Sequence, residues 1–187
     1  MKLTDYLEGI LAHPLVRDAR EFAREKHGDQ TRRDGTPYFN HPDRVAKFAS
    51  KYKVSKELPS IVAAAYLHDT KEDCDISIEE IRAKFGDLTA ELVSELTSDK
   101  DKLKAMGKTD YLTDKMLNMS SYALIVKLVD RLDNVSDLLT AKEEFRNRYK
   151  LETETIINSL LKNRELSGTH KRIIHDIQLK LFKLNEV

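Results

Sequence analysis

Apolar residues recur every three or four positions along most of this chain, which is the period of an amphipathic helix. Leu15, Ala19, Phe22 and Ala23 form the first such set. The 187 residues include only six glycines and four prolines, so few positions favour a break in a helix. The sequence lacks the alternating apolar and polar runs, bounded by turn residues, that predict β-hairpins. We therefore predict an all-α fold in which residues 1–187 form a single helical domain.

Capping residues and helix breakers set the expected boundaries of the helices. The polar stretch from Gly28 to Gly35 predicts a loop, and Pro42 suits the first turn of a helix that continues through Ala49. The charged segment 98–113 lacks a clear period and is predicted to be a surface loop with fraying helix. The remaining predicted helices are 58–73, Ser77 to near Gly86, 88–97, 121–139, 141–163 and 169–184. Helix 121–139 is apolar nearly all round in its first half, so we expect it in the middle of the fold.

Charge and cysteine content restrict the class of protein. The 32 basic and 32 acidic side chains cancel, which argues against a general binder of nucleic acids or membranes. The one cysteine, Cys74, cannot form an internal disulfide, as is usual in a reducing cytosol. The first residues lack the features of a signal peptide, and no segment approaches the roughly 20 apolar residues of a membrane span. We expect a cytoplasmic protein without nucleic-acid or membrane partners, and the oligomeric state is not indicated.

Ligand-type side chains cluster at the end of predicted helix 58–73. On a continuous helix, His68 and Glu72 lie one turn apart, as do Asp69 and Asp73. Four such groups directly after an apolar stretch would be costly to bury unless something pairs them, and a divalent cation would do so. The alternative is a solvated helix end.

A second candidate, Asp130, lies inside the most apolar helix of the sequence. Aspartate is rarely buried without a partner, and Asn134 shares its helix face one turn later. An ion pair of Asp130 with Lys127 or with Arg131 is the alternative explanation.

A third candidate, His41, precedes Pro42, which favours an extended backbone at the entrance of a helix. Two imidazoles and two carboxylates then make one candidate ligand set: His41, His68, Asp69 and Asp130. This mixture of nitrogen and oxygen ligands suits Mn²⁺ in preference to Fe²⁺, Zn²⁺ or Mg²⁺. Such an ion polarises a phosphoryl oxygen and lowers the pKa of a bound water. Glu72 and Asp73 lie one turn from the ligands, where they can orient or deprotonate that water.

Basic residues near the ligand set suggest a substrate that carries phosphate. Arg24, Lys26, Arg32 and Arg33 precede His41, and Lys127 and Lys100 are weaker candidates. Arginine suits bidentate contacts with phosphate, although a solvated basic loop is an equally good reading of composition.

The other histidines have less obvious roles. His27 is expected to support the loop around Gln30 and Arg32, whereas the other three are expected at the surface or at helix ends: His13, His170 and His175.

Three motifs, taken in order, resemble the hydrolase domain of RelA/SpoT proteins over about residues 15–140. They read His27-x-x-Gln30-x-Arg32-x-x-Gly35-x-Pro37-Tyr38-x-x-His41-Pro42-x-x-Val45-Ala46, then Leu67-His68-Asp69-x-x-Glu72-Asp73, then Val126-Lys127-Leu128-x-Asp130-Arg131-Leu132-x-Asn134. The compact length and the segment 96–100 are most similar to the stand-alone small alarmone hydrolases of the metazoan SpoT-homologue type.

The resemblance implies an HD-superfamily helical bundle that hydrolyses the 3′-pyrophosphate of ppGpp and pppGpp with bound Mn²⁺, giving GDP or GTP and pyrophosphate. It also implies roles for individual residues: metal binding by His41, His68, Asp69 and Asp130, water activation by Glu72 and Asp73, and nucleotide contacts from Arg32 and Asn134. Arg24 and Lys127 are added as candidate phosphate contacts. The synthetase domain of the full-length proteins is not expected, because no residues remain for it.

Asp29, Val129 and Asp133 depart from the family pattern without removing a ligand. Two alternatives therefore stay open: the same scaffold acting on ppApp or on the 2′-phosphate of NADPH, or a nucleotide-binding regulator without catalysis.

Overall fold

The computed structural model describes residues 3–184 of the chain, with side chains from residue 6 onward. Within this range every regular element is helical, apart from an isolated bridge between Thr31 and Pro37. The prediction of an all-α fold is confirmed. The chain divides between Thr97 and Ser98 into two compact units, each of which has its own apolar core.

The first unit contains seven described helices. They are α1 (Leu3–Leu11), α2 (Pro14–His27), α3 (Asn40–Tyr52), α4 (Leu58–Leu67), α5 (Thr70–Asp73), α6 (Ile78–Phe85) and α7 (Asp87–Leu96). Helix α4 packs against α2, α3 and α7. Its residues from Ile61 to Leu67 are all buried, because they are apolar on every side of the helix.

The second unit contains five described helices and a short 3₁₀ turn. They are α8 (Lys100–Met106), α9 (Lys108–Asn118), α10 (Ser121–Ser136), the turn Leu138–Thr140, α11 (Glu143–Asn163) and α12 (Gly168–Lys183). Helix α10 packs against α11 and α12 and buries most of its residues, as the sequence predicts. None of the helices described in either unit is long and apolar enough to cross a membrane.

Two predicted elements are wrong. Segment 98–113 was expected to be a loop but lies in α8 and α9. The Asp99 side chain caps α8 by accepting hydrogen bonds from the backbone N–H groups of residues 101 and 102. Gly107, with φ of 82°, then turns the chain into α9, which buries Tyr111 and Met116. Predicted helix 58–73 is also interrupted, because α4 ends at Leu67 and α5 begins at Thr70.

Candidate functional site

Two buried histidines lie together in the first unit. His41 is in the first turn of α3 and His68 follows the last residue of α4. Their exposed fractions are 3% and 2%, and their ring centroids are 5.2 Å apart. The Nδ1 atom of His68 lies 2.8 Å from the Ala65 carbonyl oxygen. Because a carbonyl only accepts, Nδ1 carries the proton, and Nε2 is left as the ligand atom.

The carboxylate of Asp69 faces both rings. Its Oδ2 lies 3.0 Å from His68 Nε2 and 3.9 Å from His41 Nε2. A neutral imidazole nitrogen and a carboxylate oxygen both present lone pairs, so this approach favours a positive charge between them. Two nitrogens and one oxygen are donors that a divalent transition metal accepts. His41, His68 and Asp69 therefore fit a metal ion, and the structure brings these three predicted ligands close together.

The interruption after α4 defines where these ligand atoms lie. His68 and Asp69 connect α4 to α5, and the Thr70 hydroxyl donates to the Leu67 carbonyl at 2.7 Å. The backbone N–H of Asp73 still donates to the Asp69 carbonyl at 2.9 Å. Asp69 and Asp73 thus remain one turn apart, although the continuous helix predicted through them is absent.

Asp73 belongs to α5, next to Glu72. Removal from water raises the pKa of the Asp73 carboxyl, and the negative charge of Asp69 raises it further. Both effects disfavour the ionised form. A carboxylate with a raised pKa accepts a proton more readily than an ordinary aspartate, which suits a general base.

The loop between α2 and α3 contacts this cluster through Tyr38. The Tyr38 hydroxyl donates to Asp69 Oδ2 at 2.6 Å. Tyr38 is part of the motif with Pro37 and His41, but the sequence analysis assigned it no role. The signal that could have identified it is its position three residues before a ligand histidine. Its contact with Asp69, 31 residues later, depends on how the loop folds.

The same loop is supported from α2 and from α5. His27 Nδ1 lies 2.9 Å from Gln30 Oε1, which confirms that His27 supports the loop around Gln30. The Gln30 amide donates to the backbone carbonyl of Asp73 at 3.3 Å. Cys74, half-buried, lies with its sulfur 3.5 Å from His27 Nδ1. Burial and the charge of Asp73 raise the pKa of the Cys74 thiol, so a thiolate nucleophile is disfavoured.

Asp130 lies in the second unit, on α10, and is 7% exposed. Lys127 Nζ donates to its Oδ2 at 3.0 Å, and Asn134 Nδ2 donates to its Oδ1 at 2.7 Å. The predicted alternative of a Lys127–Asp130 ion pair is therefore present, whereas Arg131 pairs with Glu152 at 3.1 Å. Lys127 and Asn134 were expected to contact substrate, and each holds one oxygen of Asp130.

The remaining predicted residues lie in different surroundings. Arg24 is exposed and forms an ion pair with Glu21, while Arg32 is half-buried in the loop after α2. His13 and His175 are exposed as expected. His170 lies in the first turn of α12, at a helix end as predicted, but it is not at the surface. It is 2% exposed, and its Nε2 lies 2.9 Å from the Ser121 carbonyl oxygen.

Comparisons with known proteins agree with this geometry. The HD domain family matches residues 19–165. The human guanosine-3′,5′-bis(diphosphate) 3′-pyrophosphohydrolase MESH1 is 34% identical over 137 residues, which cover 72% of this chain and 75% of the human protein. An Aquifex aeolicus guanosine-3′,5′-bis(diphosphate) 3′-pyrophosphohydrolase is 36% identical over 170 residues. The match covers 83% of this chain but 23% of that relative, so the chain spans about a quarter of its length.

A solved structure shows the same architecture. It is described as a metazoan orthologue of SpoT that hydrolyses ppGpp and plays a role in starvation responses. The two structures align with a TM-score of 0.78 at 26% sequence identity, covering 93% of this chain and 97% of that chain. This chain belongs to the HD domain family, in the RelA/SpoT branch that contains the metazoan SpoT homologues.

Proposed function

We propose that this protein hydrolyses the 3′-pyrophosphate of the guanosine alarmones ppGpp and pppGpp, releasing pyrophosphate and GDP or GTP. The observation that carries the proposal is the cluster of two buried histidines, His41 and His68, with the half-buried Asp69, in a chain of this family. Its relatives with this enzyme name include proteins of similar length as well as longer ones. The partner is thus a small nucleotide, and the single cysteine suits a cytoplasmic setting.

We propose that His41, His68, Asp69 and Asp130 hold the ion, and that the ion is Mn²⁺. The protonated Nδ1 of His68 supports this assignment, because it directs Nε2 toward Asp69. Asp130 is a nearly buried carboxylate at the position that the family motif assigns to a ligand. When bound, the ion would polarise a phosphoryl oxygen of the substrate and acidify a water molecule.

The chain's own carboxylates then manage the proton of the attacking water. Water adds to the phosphorus that is bonded to the 3′ oxygen, and the bond between that oxygen and phosphorus breaks. Glu72 orients the water and Asp73 accepts its proton, which then passes to the departing 3′ oxygen. The raised pKa of Asp73 supports its role as the base.

Cationic and amide groups complete the proposed site. Arg32 contacts the nucleotide, and Arg24 exchanges its exposed partner Glu21 for a phosphate group. Lys127 and Asn134 contact the substrate from α10 while they orient Asp130. The assignment of these four substrate contacts is supported by the type of side chain and by its position in the sequence.

The test measures pyrophosphate release from ppGpp and ppApp, and phosphate release from NADPH, by metal-stripped protein with and without Mn²⁺. We expect Mn²⁺-dependent release from ppGpp, because the proposed ligands suit Mn²⁺ and the proposed basic contacts suit phosphate. His68→Ala should abolish turnover, and His175→Ala is the matched control because that histidine is exposed on α12.

Each other result has a distinct meaning. Turnover of ppApp or NADPH alone would keep the metal mechanism and replace the guanosine substrate. A protein that binds Mn²⁺ and nucleotide but releases neither pyrophosphate nor phosphate would contradict the proposed enzyme and favour a regulator.

A further inference from the structure

Tyr38 reaches the candidate metal centre from outside the predicted ligand set. Its hydroxyl donates to Asp69 Oδ2 at 2.6 Å, and this is the oxygen that lies 3.0 Å from His68 Nε2. A carboxylate oxygen has two lone pairs, so Oδ2 can accept this hydrogen bond and still present a lone pair to an ion. A short bond between a hydroxyl and a carboxylate is among the stronger hydrogen bonds in proteins.

The Tyr38 hydroxyl has a single proton, and the Asp69 carboxylate accepts it. The bond therefore fixes the direction in which the Asp69 carboxylate points. Hydrogen-bond partners of this kind orient a metal ligand and raise the affinity of the site for its ion.

The ring of Tyr38 is held firmly enough to serve this purpose. Its backbone N–H donates to the Gln30 carbonyl at 2.8 Å. The His27 ring packs against it with centroids 4.7 Å apart, and the His41 ring lies nearly perpendicular to it with centroids 6.1 Å apart. These contacts position the ring without using the hydroxyl.

We propose that Tyr38 is a positioning residue that orients the metal-binding carboxylate of Asp69. This inference rests on the proposed function, because it takes the role of Asp69 from it. Removal of the hydroxyl should weaken ion binding, since Asp69 loses the bond that orients it. It should also slow turnover in protein saturated with Mn²⁺, since an ion held by a misdirected ligand is displaced from its working position.

The test compares Tyr38→Phe with the wild-type protein. Phenylalanine keeps the ring between His27 and His41 and removes one oxygen. Mn²⁺ affinity is measured on metal-stripped protein from the electron paramagnetic resonance signal of free Mn²⁺, with no substrate present. We expect the affinity to fall about 10- to 100-fold, which is the usual effect of losing a hydrogen bond to a ligand. At saturating Mn²⁺ we expect kcat for ppGpp to fall about tenfold, with little change in KM.

Tyr111→Phe is the matched control. The Tyr111 hydroxyl accepts a hydrogen bond of the same 2.6 Å length, from the Asp99 backbone N–H in the second unit. That substitution removes a similar bond away from any proposed ligand, and it should leave Mn²⁺ affinity and kcat unchanged. Thermal unfolding of both variants separates a general loss of stability from a local effect on the ligands.

The outcomes separate this inference from the proposed function. Unchanged Mn²⁺ affinity in Tyr38→Phe, beside an active wild-type protein, would overturn the role of Tyr38 alone. Weaker binding with kcat fully restored at saturating Mn²⁺ would support the effect of Tyr38 on ion binding and overturn its effect on turnover. A wild-type protein that fails to bind Mn²⁺ would overturn both.

Discussion

At the scale of single residues, Asp73 shows a conflict between stability and chemistry. Its carboxyl is partly removed from water and lies near the charge of Asp69, and both effects raise its pKa. An aspartate whose folded pKa is raised destabilises the folded protein wherever it is ionised. The cost is absent below the pKa of the unfolded chain and develops as the pH rises through the folded pKa.

Asp73→Asn should therefore stabilise the metal-free protein at pH 7 and abolish proton transfer. The gain should be absent near pH 3, where the wild-type carboxyl is neutral in both the folded and the unfolded chain. The measurement is the melting temperature of both proteins between pH 3 and pH 8, with turnover at pH 7. Asp29→Asn is the control, since Asp29 is an exposed aspartate in the loop after α2. A lower melting temperature for Asp73→Asn at pH 7 would contradict the assigned cause of the pKa shift.

Candidate metal ligands can be predicted from the sequence more readily than the residues that hydrogen-bond to them. His68 and Asp69 stand out because polar ligand groups directly follow an apolar helix, which is visible in the sequence. Lys127 is three residues from Asp130, so their contact could be anticipated and was retained as an alternative. The contact of Tyr38 could not, because it depends on the path of an irregular loop.

At the scale of elements, the start of α12 shows how a cap can bury a histidine. The Ser167 hydroxyl accepts from the His170 N–H, and the His170 ring accepts from the Ser167 N–H at 3.2 Å. The usual partner at this helix position is Glu or Gln, so the sequence did not identify a reciprocal cap. The ring is then available to contact the Ser121 carbonyl at the start of α10.

Ser167→Ala should lower the free energy of unfolding by about 1 kcal/mol, because an N–H group of α12 loses its acceptor. The measurement is urea unfolding followed by circular dichroism. Ser94→Ala is the control, because Ser94 is exposed inside α7 and alanine favours a helix there. Equal stabilities for the two variants would show that the cap contributes nothing measurable.

The two wrong element predictions have a common cause. Charged residues dominate α8 and conceal its helical period. The boundaries of α8 and α9 are indicated instead by two single residues, the helix cap Asp99 and the turn residue Gly107. The break in the helix at His68 and Asp69 is hard to predict for a different reason, because no glycine or proline lies at this point in the sequence. The local hydrogen bonds of His68 to Ala65 and of Thr70 to Leu67 occupy carbonyls at the end of α4.

At the scale of the whole molecule, the presence of two compact units raises the question of whether they unfold together or separately. The first unit has α4 at its core and holds His41, His68 and Asp69. The second has α10 at its core and holds Asp130, beside a buried ion pair of Arg131 with Glu152. The sequence predicts one domain, and the family match spans the boundary between the units. The proposed ligand set takes residues from both.

An ion bound by residues of both units should stabilise both units together. Mn²⁺ at about 100 times its Kd adds about 2.7 kcal/mol to the free energy of unfolding. The chain has no tryptophan, so one introduced tryptophan reports on one unit. Phe22→Trp places the reporter in the first unit and Phe145→Trp in the second, both at half-buried positions.

We expect the urea transitions of the two reporters to coincide in the metal-free protein and to shift by the same amount with Mn²⁺. Coincidence is the behaviour of one cooperative domain. In an Asp130→Ala background the Mn²⁺ shift should shrink for both reporters, because the ion loses a ligand. A shift confined to Phe22→Trp would mean that the ion binds the first unit alone. That result would remove Asp130 from the ligand set. It would also contradict the single domain, because bound Mn²⁺ would stabilise the first unit without stabilising the second.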